Sequence, residues 1–139
     1  MNQIDPSIGQ YLENHRTGVL ATQKRSGAPQ QTLIAYHFDG NDIAISTRAP
    51  TQKAKNILKR PDVSLAVIDG QAQLIVYGAA TVIQDPETVY RLHRERIRQI
   101  AMRAESDEEL AQRLRREERV VLILKPSSFF PTTMVRRPR

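Results

Sequence analysis

The segment Ser46 to Asp62, STRAPTQKAKNILKRPD, carries Arg48, Lys53, Lys55, Lys59 and Arg60, and its only acid is the terminal Asp62. Ala54, Ile57 and Leu58 follow the i, i+3, i+4 rule and predict a short amphipathic helix. Pro50 suits its first turn, where a missing N–H is no loss, and Pro61 disfavours helical geometry at Arg60 and closes it. At ~100° per residue Lys55 and Lys59 point away from the apolar stripe, while Lys53, Asn56 and Arg60 lie along its flank. Lys53 falls in the first turn, just after Arg48, where free N–H groups already carry roughly half a positive charge. Cations there repel unless an anion joins them, held by N–H groups, the hydroxyls of Ser46, Thr47 and Thr51, and the basic side chains. On spacing alone, an anion site and a solvated basic helix both fit.

Other chemistry is sparse. There is no cysteine, which excludes disulfides and thiolate metal ligands. His15, His37 and His93 lack metal-ligand spacing, so no metal is expected. Neither a Ser-His-Asp set nor paired carboxylates can be read from the spacing. Tyr36, His37 and Tyr77 carry transferable protons, yet each reads as structural, and no catalytic residue is assigned. His93 lies centrally on an apolar helical face, the usual setting of a packed, hydrogen-bonded imidazole.

These residues sit in a chain of 139 with 40% hydrophobic content, enough for one core, so residues 1–139 are expected to form one domain. No apolar run approaches the ~20 residues a bilayer span needs, and MNQIDPSIG has neither a basic n-region nor an apolar h-region. A cytoplasmic protein without membrane partners is the expectation. A net charge of +6 calls for an acidic partner. Nucleic acid is disfavoured, because exposed aromatics are too few for a stacking platform and helix-turn-helix and zinc-finger signatures are missing.

The elements that must position the cations follow in order. A first helix is expected around Pro6 to Asn14. TGVLATQ and APQQTLIAYHF should pair as a hairpin through Arg25-Ser26-Gly27. The turn at Asp39 to Asp42 leads to IAIST, with Ile43 and Ile45 on one face, and this strand feeds the basic helix. VSLAVID and QLIVYGAATVIQ are two further strands, with Gly78 marking a bulge or a close backbone approach. From Pro86 the period becomes helical through Val89, His93, Ile97 and Ala101 to about Arg103. SDEE, Ser106 to Glu109, is a capping box opening another helix to about Arg116. RVVLILKP is the sixth strand. The tail SSFFPTTMVRRPR has Phe129 and Phe130 to bury and Arg136, Arg137 and Arg139 to expose.

Both this order and the words TGVLATQKRSGAPQ, AYHFDGNDIAIST, QKAKNILKRPDVSLAV and RVVLIL resemble the pyridoxamine 5'-phosphate oxidase-like superfamily. The resemblance runs from Gly9 to Leu124 and is closest to the branch that binds the deazaflavin coenzyme F420. It implies a mainly β fold with helices, a six-stranded split β-barrel of the FMN-binding type. It also implies a homodimer with two cofactor sites at the interface. In that scheme Arg48, Thr51 and Lys53 hold the cofactor phosphate, with Asn56 beside them. Gln30, Thr32 and Leu33 on the second strand and Ser46 and Thr47 on the third line the ring.

Two departures bear on activity. The vitamin oxidases carry an arginine and a lysine on the second strand, which here reads PQQTLIAY with no cation. Their C-terminal arginine-histidine signature is replaced by MVRRPR. Pyridoxamine phosphate oxidation is therefore not expected, and the case for tight FMN binding is weakened. The resemblance instead implies an F420-dependent oxidoreductase acting on a small conjugated or heteroaromatic substrate, with Lys55, Lys59 and Arg60 placed to follow the glutamyl tail. The alternatives are an FMN-dependent oxidoreductase and a non-catalytic F420 carrier. QLIVYGAATVI is apolar on both faces, as a strand between a barrel core and a second subunit would be.

Overall fold

The computed structural model describes residues 3–97 and 105–134. Helix α1 (Pro6–Glu13) starts on Asp5, whose carboxylate accepts from the Ser7 N–H, and buries Ile8 and Leu12. Strands β1 (Thr17–Gln23), β2 (Pro29–Ala35), β3 (His37–Phe38) and β4 (Ile43–Arg48) lead into helix α2 (Gln52–Lys59). Then come β5 (Asp62–Asp69), β6 (Ala72–Ile83), helix α3 (Pro86–Leu92), a π-helical turn (His93–Ile97), helix α4 (Asp107–Arg116) and β7 (Arg119–Phe130). No helix among the described residues is long and apolar enough to cross a membrane.

Among the described residues the strands form one curled sheet, antiparallel throughout, in the order β2-β1-β5-β6-β7-β4-β3. Among the described residues its strand count is seven, not the expected six, because APQQTLIAYHF changes partner at Tyr36. Residues before it pair with β1 and residues after it with β4. Strands at opposite ends of the sheet order are thus joined by one residue, so the sheet must curl into a half-barrel. Tyr36 fixes the crossing point: it is buried, and its hydroxyl donates to the Leu12 carbonyl at 2.8 Å. Removing that phenol from water pushes its pKa well above the usual range.

The concave side holds one core, with Leu20, Ile34, Ile43, Ile45, Leu65, Val76 and Leu124 under α1 and α2. On the convex side of β4 and β7 a smaller cluster, Ala44, Val89, Leu110, Leu114 and Val121, seats α3 and α4. The capping box at Ser106 and Glu109 forms as expected. Gly78 marks both a register shift against β7 and a close approach, since a Cβ there would lie 2.2 Å from the Lys125 carbonyl oxygen.

Several local expectations are corrected. Pro50 lies outside α2, which is capped at Thr51. Leu58 is 59% exposed, and Asn56 takes the inward position beside Ala54 and Ile57. The helix after Pro86 gives way to the π-turn at His93 rather than running regularly towards Arg103; residues 98–104 lie outside the described region. β7 continues past Pro126 to Phe130, because the register shift at Gly78 lets Pro126, which lacks an N–H, occupy an irregular position. Phe130 is 58% exposed instead of buried, while Phe129 packs partly against the core. Arg136, Arg137 and Arg139 are outside the described residues.

Candidate functional site

Beyond Tyr36 the paths of β2 and β4 separate. β4 pairs with β3 only at Ile43 and Ala44, so from Ile45 to Arg48 one of its edges has no strand beside it. β2 likewise pairs with β1 alone. The two unpaired edges make a split that carries Gln30, Thr32 and Leu33 on one side and Ser46, Thr47 and Arg48 on the other. α2 follows β4 after three residues and closes one end of the split. Backbone N–H and C=O groups along such edges seek partners.

Asn56 ties the margins of this split together. It is fully buried, and its amide nitrogen donates to Thr22 Oγ1 at 3.0 Å on β1 and to Gln30 Oε1 at 3.1 Å on β2. Its amide oxygen accepts from Gln52 Nε2 at 2.8 Å. We expect Asn56→Ala to cost about 1 to 3 kcal/mol, because it strands buried polar partners. Urea unfolding tests this: an unchanged midpoint would show that water replaces the amide at no cost.

At the start of α2 the Thr51 hydroxyl donates to the Arg48 carbonyl at 2.9 Å and lies 3.4 Å from Thr47 Oγ1. That proton is committed within the turn, leaving the Thr51 oxygen as an acceptor. Lys53 is half-buried one residue into the helix, and its ammonium is held below its usual pKa, first by burial and then by the nearby charge of Arg119. Lys55 and Lys59 stand exposed on the outer face, whereas Arg60 is tied to the Gln23 carbonyl at 2.9 Å.

Ser46 does not join Thr47. Alternation along β4 sends it to the convex face, where its Oγ lies 2.6 Å from His93 Nε2. His93 Nδ1 is 2.8 Å from the Val89 carbonyl, which can only accept, so Nδ1 carries the proton. In the neutral ring Nε2 therefore accepts, and Ser46 donates. His93 is 2% exposed and is packed and hydrogen-bonded, as the sequence suggested.

Burial is the main cause that pushes the His93 pKa below 6.5; Arg113 and Arg119 add to it, against the opposing bond to Val89. As pH falls below the unfolded value the unfolded chain takes up a proton that the folded chain refuses, so stability is lost on acidification. We expect a melting temperature that drops between about pH 7 and 5, with a shallower slope in His93→Gln. His37, also depressed by burial and then by Arg96, supplies a background common to both proteins. Equal slopes would remove His93 from this account.

Of the nine residues expected at a cofactor, all lie on the elements that flank the split, but alternation along β4 turns the side chains of Ser46 and Arg48 to the convex face. Sequence reasoning missed the Ser46–His93 contact, which depends on a π-turn that no local spacing signals. It also passed over Arg119, one cation among many in LRREERV. Cavities of about 820 Å³, between α1 and the end of β7, and 520 Å³, between α3, α4 and β7, are not lined by any of the nine.

The fold is thus a curled sheet split between two strand edges, with a basic helix at one end of the gap. The chain belongs to the pyridoxamine 5'-phosphate oxidase family, whose sequence pattern matches residues 4–132. Among solved structures it is similar to a protein named F420 reductase, at 26% identity and a TM-score of 0.65, over 86% of this chain and 93% of that one. A conserved hypothetical protein of Mycobacterium tuberculosis shares the fold at 24% identity and a TM-score of 0.69, over 92% and 88%. So does a candidate pyridoxamine 5'-phosphate oxidase of Listeria innocua, at 20% identity and a TM-score of 0.66, over 88% and 92%.

Proposed function

We propose that the chain is a coenzyme F420-dependent oxidoreductase, transferring a hydride between the reduced deazaflavin and a small conjugated or heteroaromatic substrate. One observation carries the reading: unpaired edges of β2 and β4 flank a slot that ends at the cation-bearing start of α2. A planar heterocycle with amide-like edges suits those backbone groups, and an attached phosphate suits Lys53, Arg48 and the acceptor-poor helix start. In this placement Gln30, Thr32, Leu33 and Thr47 line the ring side, Ser46 offers its backbone alone, Arg48, Thr51 and Lys53 take the phosphate, and Asn56 holds β1, β2 and α2 in place. The bound deazaflavin supplies the hydride; the chain binds it, orients it and excludes water.

F420 is preferred to FMN on the likeness to the F420 reductase and on the cation-free β2. FMN remains the second reading, favoured by the family's own chemistry. Titration of each cofactor into the purified protein, followed by absorption and fluorescence, separates them. Tight FMN binding with no F420 binding sinks the lead. Micromolar F420 binding with reduced F420 never oxidised across a substrate screen favours a carrier.

The proposal includes a homodimer. Leu33, Val19, Ala66, Ile75 and Phe130 are successive register partners across β2, β1, β5, β6 and β7, and they form one apolar row on the outer face. Leu33 at 72% and Phe130 at 58% are exposed in the single chain, as a row awaiting a second subunit would be. We expect Ile75→Glu to shift light scattering from dimer towards the 15.8 kDa monomer and to weaken cofactor binding in parallel. A parent protein that scatters as a stable monomer at micromolar concentration overturns both.

A further inference from the structure

The cavity of about 520 Å³ between α3, α4 and the start of β7 lies on the convex side of the sheet, apart from the split. Small-molecule sites run from about 300 to 1,000 Å³. Its wall is apolar: Pro86, Val89 and Tyr90 come from α3, Ala111 and Leu114 from α4. Val89 and Leu114 are buried members of the convex cluster, so packing fixes this wall.

The mouth carries charges of both signs: Glu87 in the first turn of α3, Arg115 in the last turn of α4, then Glu118 and Arg119. Among the described residues Glu87, Arg115 and Glu118 form no ion pair. Arg119 is anchored through Nε, 2.8 Å from Glu117, and its terminal nitrogens donate to no described residue. Opposite charges thus share one cavity without neutralising each other. Glu118 is the most informative of them. It lies just past the C-cap of α4 at φ 51, a left-handed position that usually takes glycine because a Cβ is strained there. Its N–H donates to the Arg115 carbonyl at 3.1 Å and its carbonyl accepts from the Ala49 N–H at 2.8 Å. Glycine would make both bonds at less strain, so the carboxylate needs another reason to be there.

We propose that this cavity binds a zwitterion with an apolar body, a free α-amino acid bearing an aromatic or branched aliphatic side chain. The side chain lies against Val89, Tyr90, Ala111 and Leu114. The carboxylate meets Arg115 and Arg119, and the ammonium meets Glu118 and Glu87. A simple acid would face the two glutamates unmatched, a simple amine would face the two arginines, and an uncharged molecule would satisfy neither pair. The proposal does not rest on the cofactor reading of the split.

The test titrates the full chain with L-phenylalanine, L-leucine, 3-phenylpropionate and 2-phenylethylamine, followed by NMR shifts and by melting temperature. The amino acids should raise the melting temperature, and L-phenylalanine should bind at least about ten-fold more tightly than either aromatic analogue that lacks one of its charges. Glu118→Gly should melt above the parent when empty, because the backbone strain is relieved, yet bind L-phenylalanine about ten-fold more weakly. A purely structural glutamate would not separate stability from affinity in this way. Ala111→Trp, which fills the cavity from α4, should abolish binding; should that variant not fold, Glu118→Gly decides alone. No binding of either amino acid at millimolar concentration overturns the proposal. So does equal binding of 3-phenylpropionate, parental affinity in Glu118→Gly, or binding that survives in a folded Ala111→Trp.

Discussion

Lys53→Ala is expected to bind the cofactor about ten- to a hundred-fold more weakly than the parent, because a charge-assisted hydrogen bond to phosphate is worth about 1.5 to 3 kcal/mol. The same change should leave the apo protein as stable or slightly more so. Lys53 is a cation in the first turn of α2, where the helix dipole opposes it, and burial and Arg119 already disfavour its charge. Affinity and stability thus move in opposite directions, which an ordinary packing defect does not do. Lys59→Ala supplies the contrast: in the last turn its charge complements the carbonyl end, so its loss costs a few tenths of a kcal/mol in stability. Titration of F420 and FMN, with melting of each apo variant, gives the comparison. Parental affinity in Lys53→Ala would reduce α2 to a solvated basic helix.

Gly78→Ala should be far more damaging to the fold. Its new methyl would sit 2.2 Å from the Lys125 oxygen and 2.9 Å from the Lys125 carbonyl carbon, both backbone atoms that no rotamer change can clear. β6 and β7 must part where their register already shifts between Tyr77 and Gly78. Overpacking of this kind costs about 3 kcal/mol or more, a large share of a typical stability of roughly 5 to 15 kcal/mol. A melting temperature lowered by about 10 °C, or loss of soluble protein, is the expected result. A variant melting with the parent would show that the two strands separate here freely.

What the sequence made legible was what local chemistry decides. The β1–β2 hairpin, the Asp39–Asp42 turn, the feed of β4 into α2 and the capping box at Ser106 each follow from residues close in the chain. Gly78 was legible because a glycine inside an apolar strand needs a reason. The failures are all tertiary. Periodicity placed Leu58 inward because it is apolar, yet Asn56 is buried, since Thr22 and Gln30 arrive from other elements to satisfy its amide. The division of β2 from β3 depends on which strand lies alongside, and nothing in LIAYHF announces a change of partner at Tyr36. For the site, residue types located the cations of α2. They did not show that Ser46 faces His93, or that Arg119 stands opposite Arg48, because both facts belong to register.

The place of β7 in the sheet has a consequence for the order of assembly. It lies between β6 and β4 and holds the hairpin of β3 and β4 to the sheet of β2, β1, β5 and β6. During synthesis the chain appears from its N-terminus, so β7 emerges after every other strand. Until it arrives, β4 and β6 each present an unpaired edge, and the two halves of the sheet lack the strand that joins them. The β4–β7 ladder joins residues as distant as Ile43 and Leu124, a long loop to close. Completion of the sheet therefore waits for β7, and a nascent chain stalled before Arg119 would expose sticky edges to chaperones and to other chains.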